Sequence, residues 1–149
     1  MSEWKLKYVE GDLVKTASDY DVIVHGCNCF CTMGAGIAKT IKDKWPKVYD
    51  TDCKTSKGDA NKLGRYTMSD VGDVIVDNAY TQHHYAGYKP VDYDAIQIVM
   101  SRIKIDFAGK KIGMPMIGAG LAGGSWSKIE GIIEKELEGE DVTIVKFKK

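Results

Sequence analysis

The sequence lacks an excess of either charge. Lysine plus arginine number 21, and aspartate plus glutamate also number 21. No surplus of positive charge draws the chain to nucleic acid or to an anionic membrane surface, so neither is an expected partner. Long hydrophobic runs are missing too: no apolar stretch approaches the ~18 residues of a membrane span. The N-terminal stretch MSEWKLKYVEGD has no signal-peptide apolar region. These absences set the expectation of a cytoplasmic chain whose thiols stay reduced. Cysteine is scarce, with four residues at 27, 29, 31 and 53, and all are expected as free thiols. Cys27, Cys29 and Cys31 are too close in sequence to bridge one another in the ordinary way. No Cys-x-x-Cys occurs, which removes the usual disulfide-exchange motif. Repeats, linkers and low-complexity segments are absent as well. The 149 residues therefore read as one domain, 1–149, able to bury roughly 70% of the surface its unfolded chain exposes.

What is present is an alternation of two periodicities. KLKYV (5–9) alternates polar and apolar residues and predicts a strand; GDLVKTASDYD follows as a loop or short helical turn. VIVHG (22–26) is a β-branched run typical of a buried strand. Ile37, Ile41, Trp45 and Val48 then recur at helical spacing, with Pro46 expected to kink or restart that helix. Residues 51–64 are polar and read as surface loop. RYTMSD predicts a short strand and DVIVDNAY (73–80) a stronger one, followed by the loop TQHHYAGYKPVD. Ile96, Val99, Met100, Ile103 and Phe107 mark a helix over about 92–107. KIGMPMI (111–117) predicts a strand interrupted by Pro115. Trp126, Ile129, Ile133 and Leu137 line another helix; Ser127 to Glu130 fits a capping box, with Ser125 a rival cap. VTIVKF closes the pattern as a strand. Helices alternating with largely apolar strands predict a three-layer α/β/α sandwich around a central parallel or mixed sheet. Ligands bind such sheets at the carboxyl ends of strands, where both glycine-rich loops fall.

Residues 25–39, HGCNCFCTMGAGIAK, admit four readings. His25, Cys27, Cys29 and Cys31 carry donors that zinc accepts, but alternate cysteines in an extended segment point the same way and do not close a tetrahedron. Cysteine here is instead a small buried hydrophobe. Gly34-Ala35-Gly36 opens a helix whose first-turn N–H groups are unpaired and welcome an anion. It is not a Walker A loop, because Ala38 and not glycine precedes Lys39. Gly118, Gly120 and Gly123 match G-x-G-x-x-G, which raises a dinucleotide-binding dehydrogenase. That fingerprint sits in the last third of the chain, and no acidic residue ends the following strand to hold a ribose. Tight turns alone also explain such glycines. Two glycine-rich loops together fit the two phosphates of a pyrophosphate, held without a metal.

VEGDLV, VIVHGCNCFCTMGAGIAKTIKDKWPKVY, DNAYTQHHYAG and MPMIGAGLAGGSW occur in that order. Over nearly the whole chain, Tyr8 to Phe147, this resembles the macro domain family, in particular the branch of ADP-ribose 1″-phosphate phosphatases known from yeast and from bacterial and phage relatives. The resemblance implies a monomeric macro domain that binds ADP-ribose and hydrolyses ADP-ribose 1″-phosphate, with no metal or cofactor. Asp12, followed by Leu13, matches the family aspartate that receives the adenine amino group. Asn28 matches the residue that orients the distal ribose. Gly34, Ala35, Gly36 and Ile37 match one phosphate-gripping loop, and Ile117, Gly118, Ala119, Gly120, Leu121, Ala122 and Gly123 the other, which continues to Ser125. Thr81 and Gln82 fall on the third-strand loop beside the terminal ribose. Phe147 lies where the family often places an aromatic against adenine; simple core packing is the competing reading. His25 matches the histidine thought catalytic in the phosphatase branch, as base, acid or nucleophile, and the resemblance makes Asn28 its catalytic partner. The branch that removes ADP-ribose from glutamate uses a lysine and an aspartate. Gln82 or His83, and Ala122, stand in their places here, so that activity is less expected. His83, His84 and Tyr85 are expected to border the terminal ribose, to act as a lid, or to be ordinary exposed loop residues, and Lys89 is near enough in sequence to test. A reader of ADP-ribose without turnover is the alternative function.

Overall fold

Six strands and four helices follow one another as the two periodicities require. The computed structural model describes residues 4–84, 91–120 and 122–148. The order is β1 (Lys7–Gly11), β2 (Val22–Cys27), α1 (Gly36–Lys44), α2 (Pro46–Cys53), β3 (Tyr66–Asp70), β4 (Ile75–Tyr80), α3 (Tyr93–Asp106), β5 (Lys111–Met114), α4 (Trp126–Glu136) and β6 (Asp141–Phe147). Short 3-10 turns lie at Ala17–Asp19 and Ala60–Lys62. The strands form one sheet in the order β1-β6-β5-β2-β4-β3. All neighbours are parallel except β3, which runs antiparallel to β4.

The pleat sends alternate residues of each strand into two cores. Val22 and Val24 of β2 pack with Ile96, Val99 and Ile103 of α3 and Ile129 and Ile133 of α4. Ile23 points the other way, to Ile41 of α1 and Val48 of α2. The molecule is thus the expected three-layer α/β/α sandwich with a mixed sheet. Among the described residues, no helix is long and apolar enough to cross a membrane.

One local alternative is resolved and three expectations are corrected. Pro46 restarts the helix: α1 ends at Lys44, Trp45 takes a non-helical conformation as residues before proline do, and Pro46 opens α2. The stretch 51–64 is not all loop, since α2 runs to Cys53 and a 3-10 turn follows. β5 stops at Met114, because Pro115 has no N–H for the ladder. The cap of α4 is Ser125, whose hydroxyl accepts from Lys128 N at 3.4 Å; Ser127 already lies inside the helix.

One group inside the sheet is unusual. Asp77 of β4 shares its face with Ala79, toward α3, and is 0% exposed. Neither carboxyl oxygen has a hydrogen-bond partner among the described residues. Burial pushes its carboxyl well above the usual carboxylate range, which favours its neutral form.

Candidate functional site

The carboxyl ends of β2 and β5 each release the chain into a loop before a helix. Between these loops lies a cleft of two chambers, about 600 and about 550 Å³. The chambers share Gly36, Ile37, Pro115, Met116 and Gly120. They are therefore one elongated groove with a waist where the two loops face each other.

The first loop is shaped by side chains. Asn28 Oδ1 accepts from Phe30 N at 2.7 Å, and Asn28 Nδ2 donates to Thr32 Oγ1 at 2.7 Å. Cys31 and Met33 both sit at positive φ, 57° and 40°. Such conformations are costly for residues with a Cβ and collect at binding sites. Ala35 caps α1 without any side-chain bond, so the first-turn N–H groups are left to a ligand.

The second loop depends on glycine. Gly118 has φ +76°, and Gly124 N donates to Gly118 O at 2.7 Å. A Cβ on Gly124 would stand 2.6 Å from that carbonyl oxygen and 2.6 Å from Val91. Backbone cannot move aside cheaply there. Gly124→Ala is expected to cost ~1–3 kcal/mol through overpacking; urea unfolding measures the effect.

The outer chamber takes Asp12, Leu13, Val14, Ile37, Ala119 and Phe147. Asp12 Oδ1 accepts from Val14 N at 3.0 Å and Lys15 N at 3.2 Å. Phe147 is 71% exposed, which excludes core packing and leaves a bare aromatic ring at the chamber wall.

The inner chamber takes Cys27, Asn28, Thr32, Gly34, Ala35, Asp52, Thr81, Gln82, Ile117, Gly118 and Ala122. Thr81 is 1% exposed and its hydroxyl has no partner among the described residues. A buried hydroxyl with no protein partner is an exception that an ordered water or a bound group would satisfy. Gln82 is tied back, donating from Nε2 to His84 O at 2.8 Å. His83 donates or accepts at Gly58 O, 2.8 Å from Nε2, and packs on Phe30.

Most sequence-predicted residues thus meet in one groove. Gly123 lines neither chamber, and Leu121, Tyr85 and Lys89 lie outside the described residues. His25 is the main departure. It is 0% exposed and lines neither chamber. As the fourth residue of β2 it points with Ile23 toward the α1–α2 layer, where Nε2 lies 2.6 Å from Asn78 Oδ1. Burial lowers its pKa to about 4 against the opposing pull of the Asn78 bond, so the imidazole is neutral. Direct contact between His25 and a ligand in the groove is not part of this geometry. Asp52 and Met116 are lining residues that the sequence pattern did not mark. Asp52 sat in a segment that read as surface loop, so no local signal pointed to it.

The cysteines are free. Burial pushes Cys27 well above its ordinary range and Cys29 up to about 11. Among the described residues no group of three or more His, Cys, Asp or Glu is arranged to hold a metal ion. A thiol-exchange reagent at pH 7.5 is expected to modify exposed Cys53 in the native protein and Cys27 and Cys29 only after unfolding; mass spectrometry of the labelled peptides counts them.

No protein-family model matches the chain. Individual proteins do. An uncharacterised 17.5 kDa protein of Enterobacteria phage T4 is 34% identical over 149 residues, spanning 94% of this chain and 95% of its own length. An ADP-ribose 1″-phosphate phosphatase of Scheffersomyces stipitis is 25% identical, spanning 87% of this chain and 94% of its own. A macrodomain protein from Streptomyces coelicolor superposes with TM-score 0.68 at 26% identity, over 97% of this chain and 99% of that one. The chain belongs to the macro domain family. The macrodomain of Mycobacterium tuberculosis DarG has the same fold, with TM-score 0.76 at 23% identity, over 97% of this chain and 98% of that one. A DNA ADP-ribosyl glycohydrolase of the same organism is 26% identical over 130 residues, 84% of this chain. This macro domain spans about a third of that relative, 36% of its length. The two glycine loops and the groove between them are therefore read as those of a macro domain.

Proposed function

We propose that this macro domain binds ADP-ribose along the groove and hydrolyses ADP-ribose 1″-phosphate to ADP-ribose and phosphate. The observation that carries the reading is the two-chambered groove with a glycine-lined waist. A pyrophosphate at the waist takes hydrogen bonds from the open N–H groups of α1 and from the second loop. Adenine then falls in the outer chamber, between the Asp12 carboxylate and the Phe147 ring. The distal ribose falls in the inner chamber, beside Asn28 and the unpartnered hydroxyl of Thr81. The phosphatase name carried by the yeast relative, which matches this chain nearly end to end, supports the same assignment.

A second reading, a binding module without turnover, is favoured by one observation. The histidine matched to catalysis, His25, is sealed from the groove. Removal of ADP-ribose from nucleic acid, the activity named for the mycobacterial relative, is less favoured because the chain carries no net positive charge. Incubation with ADP-ribose 1″-phosphate in EDTA is expected to release phosphate, and ADP-ribose is expected to bind by calorimetry. Binding without release leaves the reader. No binding at millimolar ADP-ribose removes both.

A further inference from the structure

Asp52 is the one carboxylic acid lining the inner chamber among the described residues. Its Oδ1 accepts from Tyr80 Oη at 2.7 Å. Tyr80 Oη lies 3.2 Å from Thr67 Oγ1, which accepts from Asn78 Nδ2 at 3.2 Å. Asn78 Oδ1 lies 2.6 Å from His25 Nε2. The direction of each bond can be assigned. Asn78 Nδ2 also donates to the Val48 carbonyl at 3.2 Å, which fixes the amide's orientation. An amide oxygen only accepts, so His25 carries its proton on Nε2. Tyr80 spends its proton on the acceptor-only carboxylate, so the Thr67 hydroxyl donates to Tyr80. Every donor in the chain therefore points from His25 toward Asp52. Aligned hydrogen bonds of this kind strengthen one another in a buried setting.

We propose that Asp52 is the catalytic base of this macro domain, and that His25 is a positioning residue acting on it through Asn78, Thr67 and Tyr80. The assignment rests on the phosphatase reading above. Asn78 hands on no proton, so the chain orients and does not conduct. Asp52 is only 1% exposed but lines the chamber; with Oδ1 held by Tyr80, the other carboxyl oxygen has no hydrogen-bond partner among the described residues and is assigned the role of base. It takes a proton from a water whose oxygen forms a bond to phosphorus. The bond between phosphorus and the ribose 1″ oxygen breaks, its electron pair leaves on that oxygen, and the proton held by Asp52 returns to it through water. The products are ADP-ribose and phosphate.

The surroundings suit a base. Burial raises the Asp52 carboxyl above the usual carboxylate range, while the Tyr80 hydrogen bond and the Lys62 charge hold it down. A base nearer neutrality accepts a proton more effectively. The titratable groups facing it are Lys62, Tyr80, Tyr49, Cys27, Cys29 and Cys31. Lys62 is itself anchored, donating to Cys29 O at 3.0 Å with its ammonium 4.7 Å from the Tyr80 ring centre.

The test is phosphate release from ADP-ribose 1″-phosphate by the full chain across pH 4–9. Alongside it run ADP-ribose calorimetry and thermal unfolding of each variant. Asp52→Asn keeps an acceptor for Tyr80 and is expected to lower kcat ~10²-fold or more, with ADP-ribose affinity unchanged. Tyr80→Phe removes a donor that favours the charged carboxylate, so the acid limb of the kcat profile moves to higher pH. His25→Ala is expected to lower kcat about tenfold with KM unchanged, as outer-shell partners do, and to move the same limb in the same direction. If the wild type releases phosphate and Asp52→Asn matches it, the base assignment is overturned and the phosphatase stands. If His25→Ala loses more than Asp52→Asn, or the acid limb stays fixed in Tyr80→Phe, the coupling is overturned. A wild type that binds ADP-ribose but releases no phosphate removes the phosphatase reading, and this assignment with it.

Discussion

Between pH 6.5 and about 4, the Asp77→Asn variant is expected to lose roughly 3 kcal/mol of unfolding free energy through His25. His25 is fully buried and burial lowers its pKa from the ordinary 6.5 to about 4. In that window the unfolded chain binds a proton on His25 that the native chain refuses. Stability is therefore intact above pH 6.5 and falls as the pH falls toward 4. The variant is needed because Asp77 has the opposite sign and the larger shift; Asp52, also raised by burial, opposes the His25 loss to a smaller degree in both proteins. The Asp77 carboxyl is raised well above the usual range by burial, so the native chain keeps a proton that the unfolded chain releases above about pH 4. That penalty is present at pH 7 and is relieved on acidification, which masks the His25 loss in the wild type. Asp77→Asn is accordingly expected to be more stable than wild type at pH 7 and to match it near pH 3. Urea unfolding at half-unit pH steps reads both effects. A flat profile in Asp77→Asn between pH 6.5 and 4 would contradict the buried neutral imidazole.

Phe147→Ala is expected to weaken ADP-ribose binding by ~1–3 kcal/mol, the usual worth of a base stacked on an aromatic ring, while leaving the thermal midpoint where it was. The ring is 71% exposed and stands at the outer chamber with Asp12. It gains little from folding and has much to gain from covering a flat apolar base. Calorimetry with ADP-ribose, and with ribose 5-phosphate as a ligand lacking adenine, separates stacking from a general loss of the groove. Equal ADP-ribose affinity in wild type and variant would place adenine elsewhere. A large drop in thermal midpoint would return Phe147 to a structural role.

The alternation of strands and helices was readable because each element carries its own period. β2 opens with three consecutive β-branched residues, Val22, Ile23 and Val24, with both faces buried, and α3 repeats Ile96, Val99, Met100 and Ile103 on one side. Boundaries were less readable where two local signals compete. Ser125 and Ser127 both look like caps; only Ser125 has the extended backbone, φ −81° and ψ 115°, from which its hydroxyl can reach Lys128 N. Lys62 looked like loop and is buried against Cys29, because its partners come from a strand end 33 positions away.

The sequence by itself determined the layers, the two glycine-rich loops and the residues that line most of the groove, because those follow from period, glycine position and the strand ends where loops begin. Only the tertiary structure decided the chemistry at the inner end. His25 precedes the end of β2 by two residues, so the pleat turns it into the α1–α2 layer while the groove opens beyond Cys27. Asp52, Thr67, Tyr80 and His25 are far apart in sequence. They meet because β2 pairs with β4, β4 pairs with β3 and α2 packs over β3 and β4. No local pattern encodes a hydrogen-bond chain that runs across strands, and so the carboxylate at its end was visible only once the sheet was assembled.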